Sequence, residues 1–145
     1  MKLWKRSRGR TRGETIDREI QGIQQAKLSA IIIAVARPWI ERLGADPPLL
    51  AVEFACQTCG AVWNVSRLED AMVREEVVRE LREGVVSSAP KGTETEVRQL
   101  FDMLYERALA AAPRDRRMVA NLAVVNLGGG SFRIDVASVA GGSEA

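Results

Sequence analysis

The sequence predicts a single α+β domain that combines helices with antiparallel β-hairpins. Three observations support this prediction: apolar residues recur at helical spacing in several segments, two-residue alternation surrounds a CxxC motif, and a second alternating segment follows a glycine triplet. The predicted order is a long N-terminal helix, a hairpin, two helices and a second hairpin. This order argues against a doubly wound parallel sheet, in which strands and helices alternate, and favours one antiparallel sheet.

Length and composition favour one folded unit with two extensions. The chain has 145 residues, of which 46% are apolar and 28% are charged, as in ordinary globular domains. We expect a basic, flexible arm at residues 1–13, the α+β domain at residues 14–140 and a short tail at residues 141–145.

The first predicted helix begins after Thr15, a residue that can cap a helix. Its apolar residues recur at spacings of three and four, and a denser run includes Ile31-Ile32-Ile33. Pro38 is expected to interrupt the helix, and Pro47-Pro48 to end helical structure. The helix could pack on the domain's own sheet or on a second copy of the chain.

A β-hairpin with both cysteines at its tip is predicted next. Its first strand rests on the alternation of Leu50, Val52, Phe54 and Cys56 with smaller or polar residues. Its second strand rests on the alternation of Ala61, Trp63 and Val65 with the residues between them.

Two helices and a second hairpin complete the predicted fold. Capping boxes predicted at residues 66–69 and 93–96 open two helices, which are expected to end at Gly84 and before Pro113. The apolar faces are expected to be Leu68, Met72, Val73, Val77 and Leu81 in one helix, and Val97, Leu100, Phe101, Leu104 and Ala108 in the other. The final hairpin joins residues 118–127 to residues 131–140 through Gly128-Gly129-Gly130.

The two cysteines, Cys56 and Cys59, are candidate metal ligands. The segment Cys56-Gln57-Thr58-Cys59-Gly60 resembles one half of a zinc ribbon, a resemblance that covers five residues. A structural zinc needs four ligands and the chain has no histidine, so zinc would have to be shared between two chains. The other interpretations are a thiol–disulfide oxidoreductase and two small apolar core residues.

The basic arm is the candidate nucleic-acid-binding segment. Arginines bind phosphate, glycines let the arm follow a surface, and Trp4 could stack on a base. Three arginines after the last predicted helix could extend this surface. The full candidate set is Lys2, Trp4, Lys5, Arg6, Arg8, Arg10, Arg12, Arg114, Arg116 and Arg117. The alternatives for the arm are a solvated terminus and binding to an acidic protein or lipid surface.

The sequence contains no recognisable catalytic constellation, so the predicted function is non-enzymatic. We expect a binding or assembly protein whose arm contacts nucleic acid, in a homo-oligomer or a larger nucleoprotein or virion-like assembly. The CxxC spacing, without a wider cysteine framework, favours a reducing location, in the cytoplasm or elsewhere inside the cell. A virion also suits a small body with an extended arm, by architectural analogy. The longest apolar run of the chain is too short to span a bilayer.

Overall fold

The computed structural model describes residues 27–140, which form four helices followed by one β-hairpin. The elements are α1 (Leu28–Arg42), α2 (Leu49–Ser66), α3 (Ala71–Ser88), α4 (Glu94–Ala110), β1 (Met118–Gly128) and β2 (Ser131–Val139). The α+β class is therefore confirmed. The start of the first predicted helix, the arm and the tail lie outside the described residues.

The C-terminal hairpin forms as predicted. β1 and β2 pair antiparallel, with Val124 opposite Ile134 near the middle of the ladder. Gly129 and Gly130 form the two-residue turn with φ values of +63° and +81°, a backbone conformation that favours glycine. Because this is the one hairpin within residues 27–140, the sheet there has two strands.

The predicted CxxC hairpin is wrong, since residues 49–66 form the continuous helix α2. The alternation that predicted a strand coincides with a helical pattern. Among the ten buried residues of α2, seven recur at spacings of three and four: Val52, Ala55, Cys56, Cys59, Val62, Trp63 and Ser66. The alanines fit either pattern, because a strand would place Ala55 on its exposed face, whereas the helix buries Ala55 fully.

Helix α1 continues through Pro38, contrary to the predicted interruption. Proline has no N–H group, so the carbonyl of Ala34 loses the donor that a continuous helix would supply. Arg107 from α4 compensates by donating from Nη2 to Ala34 O at 2.7 Å and from Nε to Val35 O at 3.1 Å. A tertiary contact thus satisfies the Ala34 carbonyl, which Pro38 leaves without a main-chain donor.

Helix α3 begins later and ends later than predicted. Asp70 caps it by accepting hydrogen bonds from the N–H groups of Met72 and Val73, so the box at Ser66 does not form. Gly84 lies inside the helix. The predicted apolar face is also wrong in part, because Met72 is 82% exposed while Val78 and Val86 are the buried residues of α3.

Helix α4 buries all five residues of its predicted apolar face. Its predicted capping box is wrong, because the Thr93 hydroxyl donates to Pro90 O and makes no cap hydrogen bond. The Glu94 carboxylate instead accepts from the N–H group of Gly92. The buried stripe therefore identified this helix correctly, although the details of its N-terminus differ.

Helix α2 contacts the three other helices and lies against β1. Gln57 donates to Leu122 O at 2.8 Å. The Asn64 amide both donates to Val119 O and accepts from Val119 N, at 3.0 and 2.7 Å. Side-chain amides of a helix thus satisfy main-chain groups of β1, beside an irregularity in the ladder between Val119 and Asn121.

Gly60 permits this close approach. A Cβ atom at Gly60 would lie 3.3 Å from Leu122 Cδ1 and 3.6 Å from Val119 Cγ1. Gly84, in α3, has no atom within 4 Å of the equivalent position. The two helical glycines therefore have different reasons to be small.

We expect substitutions at these glycines to change stability in opposite directions. Gly84→Ala should raise the free energy of unfolding by about 0.5–1 kcal/mol, because alanine loses less backbone entropy in a helix. Gly60→Val should lower it by about 1–3 kcal/mol, because the added methyl groups collide with Leu122 and Val119. Urea denaturation of both variants checks this, and a Gly60→Val protein as stable as the parent would contradict the packing.

Candidate functional site

The two candidate metal ligands lie one helical turn apart in the core. Cys56 and Cys59 are reduced, and both side chains are 0% exposed. The Cys59 thiol donates to Ile32 O of α1, with an Sγ–O distance of 3.6 Å. The side chains of both cysteines are therefore packed in the core, away from solvent, and the Cys59 thiol reaches α1.

Burial keeps both thiols protonated at neutral pH. It raises the pKa of Cys56 to about 12. For Cys59, burial and the adjacent Cys56 raise the pKa well above its ordinary value, against the opposing effect of Arg107. Because the thiolate is the reactive and metal-binding form, this environment suppresses both chemistries in the folded chain.

Zinc shared between chains stays a prediction. Within residues 27–140, no three or more Cys, His, Asp or Glu side chains lie together as a metal site would require. A second chain could reach Cys56 and Cys59 only after the helices that cover them had moved, because both side chains are fully buried.

Arg67 forms a buried polar centre that the sequence did not reveal. Its guanidinium carbon lies 4.0 Å from the centre of the Trp63 ring, and its side chain is held at the C-terminal end of α4. It donates to Ala108 O at 2.6 Å, and to Ala112 O and Asp115 O at 3.0 Å. The signal was a tryptophan and an arginine four residues apart, on one helix face.

The loop between α4 and β1 holds the three arginines predicted to extend the arm. Arg117 pairs through its guanidinium with the buried carboxylate of Asp115. Burial pushes the pKa of Asp115 upward, but hydrogen bonds from Arg117 outweigh it, so the pKa is lowered. Arg114 and Arg116 are exposed. The structure thus brings Arg114 and Arg116 to one surface loop and gives Arg117 a structural partner.

The remaining predicted nucleic-acid-binding residues, Lys2 to Arg12 with Trp4, lie outside the described residues. Their role in nucleic-acid binding therefore stays a prediction.

An apolar pocket of about 450 Å³ opens between α1, α2 and the start of α4. Trp39 and Phe54 meet edge to face on its wall, with ring centres 5.8 Å apart. An Arg42–Glu96 ion pair of 3.6 Å lies among the lining residues, and Leu50 is 76% exposed. Sequence reasoning missed this pocket because its walls come from segments far apart in the chain.

No helix within residues 27–140 is long and apolar enough to cross a membrane. Comparisons with protein-family models, with curated proteins and with solved structures find no match to the chain.

We expect the thiols to be unreactive in the folded protein. With an aromatic disulfide reagent at neutral pH, Cys56 and Cys59 should react at least roughly a hundredfold more slowly than a free thiol, because they are buried and protonated. Both should react promptly after unfolding in guanidinium. Fast labelling of the folded chain would contradict the packing of α2.

Burial of Cys56 also predicts a pH dependence of stability. The pKa rises from 9.0 to about 12 on folding, so between these values the folded state binds more protons than the unfolded state. The contribution of Cys56 is therefore complete below pH 9 and is lost as pH rises toward 12. Urea denaturation at a series of pH values measures this. The free energy of unfolding should fall less steeply with rising pH for Cys56→Ala than for the parent, whereas equal slopes would contradict the raised pKa of Cys56.

Proposed function

We propose that the protein is a non-enzymatic binding and assembly protein whose basic N-terminal arm contacts nucleic acid. The single observation that carries the proposal is the separation of charge along the chain. Residues 1–12 contain six basic and no acidic side chains. Residues 27–140 contain 14 basic and 15 acidic side chains, so the body is almost neutral. The phosphate-binding capacity is therefore concentrated in the arm.

The contacts of the body support this division of roles. Arg67, Arg107 and Arg117 are held by carbonyl or carboxylate oxygens inside the domain, so they serve the fold. Arg114 and Arg116 are exposed in the loop before β1 and supply the additional positive charge near the hairpin. We propose these two residues as a secondary contact surface for phosphate, with the arm as the principal one.

The proposed partner is nucleic acid, bound without sequence preference, within a homo-oligomer or a larger nucleoprotein or virion-like assembly. The arm has the side chains for phosphate contact and, in Trp4, one ring for stacking on a base. An acidic protein surface is the competing partner for the same charges. Salt dependence and competition by nucleic acid separate the two.

The zinc-bridged dimer and the thiol oxidoreductase are less well supported. Both require a thiolate at Cys56 or Cys59, and both thiols are buried with raised pKa values. We therefore propose a packing role for the cysteines.

Deletion of residues 2–12 should remove most of the binding to a random duplex. Release of counterions by up to six phosphate contacts predicts that the slope of log affinity against log salt becomes shallower by up to about 5. Fluorescence anisotropy at a series of salt concentrations measures both effects. A full-length variant with the six basic residues replaced by glutamine separates charge from length.

Substitutions in the body provide the control for this experiment. Arg114→Gln with Arg116→Gln should weaken binding less than the arm deletion, and Arg79→Gln on exposed α3 should leave it unchanged. Failure of the intact chain to bind any duplex, or unchanged binding after the deletion, would contradict the proposal.

A further inference from the structure

The outer edge of β2 is open in the part of the chain that the structure describes. β2 has one strand neighbour there, β1, and the main chain of residues 132–139 makes no hydrogen bond to any other described element. The opposite edge of the hairpin differs, because the amides of Gln57 and Asn64 bind main-chain groups of β1. An edge strand with unpaired main-chain groups is a template for another strand.

The side chains of β2 show what kind of strand would fit. Phe132 and Ile134 are buried against the helices, whereas Arg133 and Asp135 project from the opposite face and are about half exposed. Their neighbours across the ladder on β1 are Val125 and Ala123, which carry no charge. Arg133 and Asp135 pair with each other within β2, with 3.0 Å between Arg133 Nε and Asp135 Oδ1. A complementary charge on a neighbouring strand can come only from a strand added at the open edge.

We propose that this edge pairs with β2 of a second copy of the chain, antiparallel and centred on Ile134. This register places Arg133 of each copy opposite Asp135 of the other, which gives two reciprocal ion pairs around a two-fold axis. It also places the buried faces of both copies on the same side of a four-stranded sheet.

Neighbouring registers are less favourable. A pair centred on Arg133 or on Asp135 brings like charges directly opposite each other, which is destabilising. A shift by one residue between the copies would place the charged face of one strand on the same side of the sheet as the apolar face of the other. The pairing centred on Ile134 is therefore the one symmetric register that sets Arg133 of each copy opposite Asp135 of the other.

This interface rests on the assembly role in the proposed function, for which it supplies the contact surface between copies. It does not depend on the arm. Light scattering after size-exclusion chromatography, at several protein concentrations up to about 0.5 mM, should show a monomer–dimer equilibrium of the full chain. A chain that stays monomeric throughout would overturn the proposal, whether the edge is covered by residues 1–26 or simply unused.

Charge reversal tests the register. Arg133→Asp alone and Asp135→Arg alone each replace two attractive pairs by two repulsive ones, so each should weaken the dimer by roughly ten- to thirtyfold. The double variant Arg133→Asp/Asp135→Arg should restore dimerisation to near the parent level. Within one chain the exposed Arg133–Asp135 pair adds little stability, so circular dichroism should show folded protein in every case.

A matched control uses the exposed ion pair between α3 and α4. Arg98→Asp alone and Glu83→Arg alone reverse charges of similar exposure and should leave the dimer unchanged. Single hairpin variants that dimerise like the parent, or a double variant that fails to recover, would overturn the register. The arm deletion should still dimerise and the double hairpin variant should still bind duplex, so failure of this interface and failure of nucleic-acid binding are distinguishable.

Discussion

The contacts of Arg67 hold together the elements on which the rest of the structure depends. The guanidinium stacks on Trp63 of α2 and donates to main-chain oxygens at the end of α4 and in the loop before β1. Burial lowers the pKa of Arg67 to about 10, with nearby Arg116 acting in the same direction and Asp115 opposing it, so the side chain remains charged at neutral pH. A buried cation of this kind is stable only while its oxygen partners stay in place.

Several other buried polar side chains act in the same way. They form hydrogen bonds with main-chain groups that have no partner within the secondary structure. Arg107 satisfies the Ala34 carbonyl, which Pro38 leaves without a donor, and Asn64 pairs with the main chain of β1 near an irregularity in its ladder. Such contacts fix the relative positions of α1, α2, α4 and the hairpin more specifically than apolar packing alone. The CxxC segment lies in the middle of this arrangement, which explains why its thiols are inaccessible.

The sequence predicted correctly those elements in which the spacing of apolar residues fits either the helical period or the two-residue period of a strand, but not both. The stripe from Val97 to Ala108 fits a helix alone, and the glycine-rich turn followed by alternation from Phe132 fits a hairpin alone. The segment from Leu49 to Ser66 fits both periods, because its alanines are apolar yet small enough for either face. The contacts of Arg67 and Arg107 and the apolar pocket join residues far apart in sequence, so local pattern could not reveal them.

Helix α2 is the structural centre of the domain, and Arg67 fixes it to the end of α4 and to the loop before β1. Equilibrium urea denaturation of Arg67→Met tests this role directly, with Arg79→Met on exposed α3 as its matched control. We expect Arg67→Met to lower the free energy of unfolding by about 3 kcal/mol or more, because buried carbonyl oxygens at the end of α4 lose their hydrogen-bond donor. Arg79→Met should change stability by less than about 0.5 kcal/mol. Equal stability of the two variants would contradict the account.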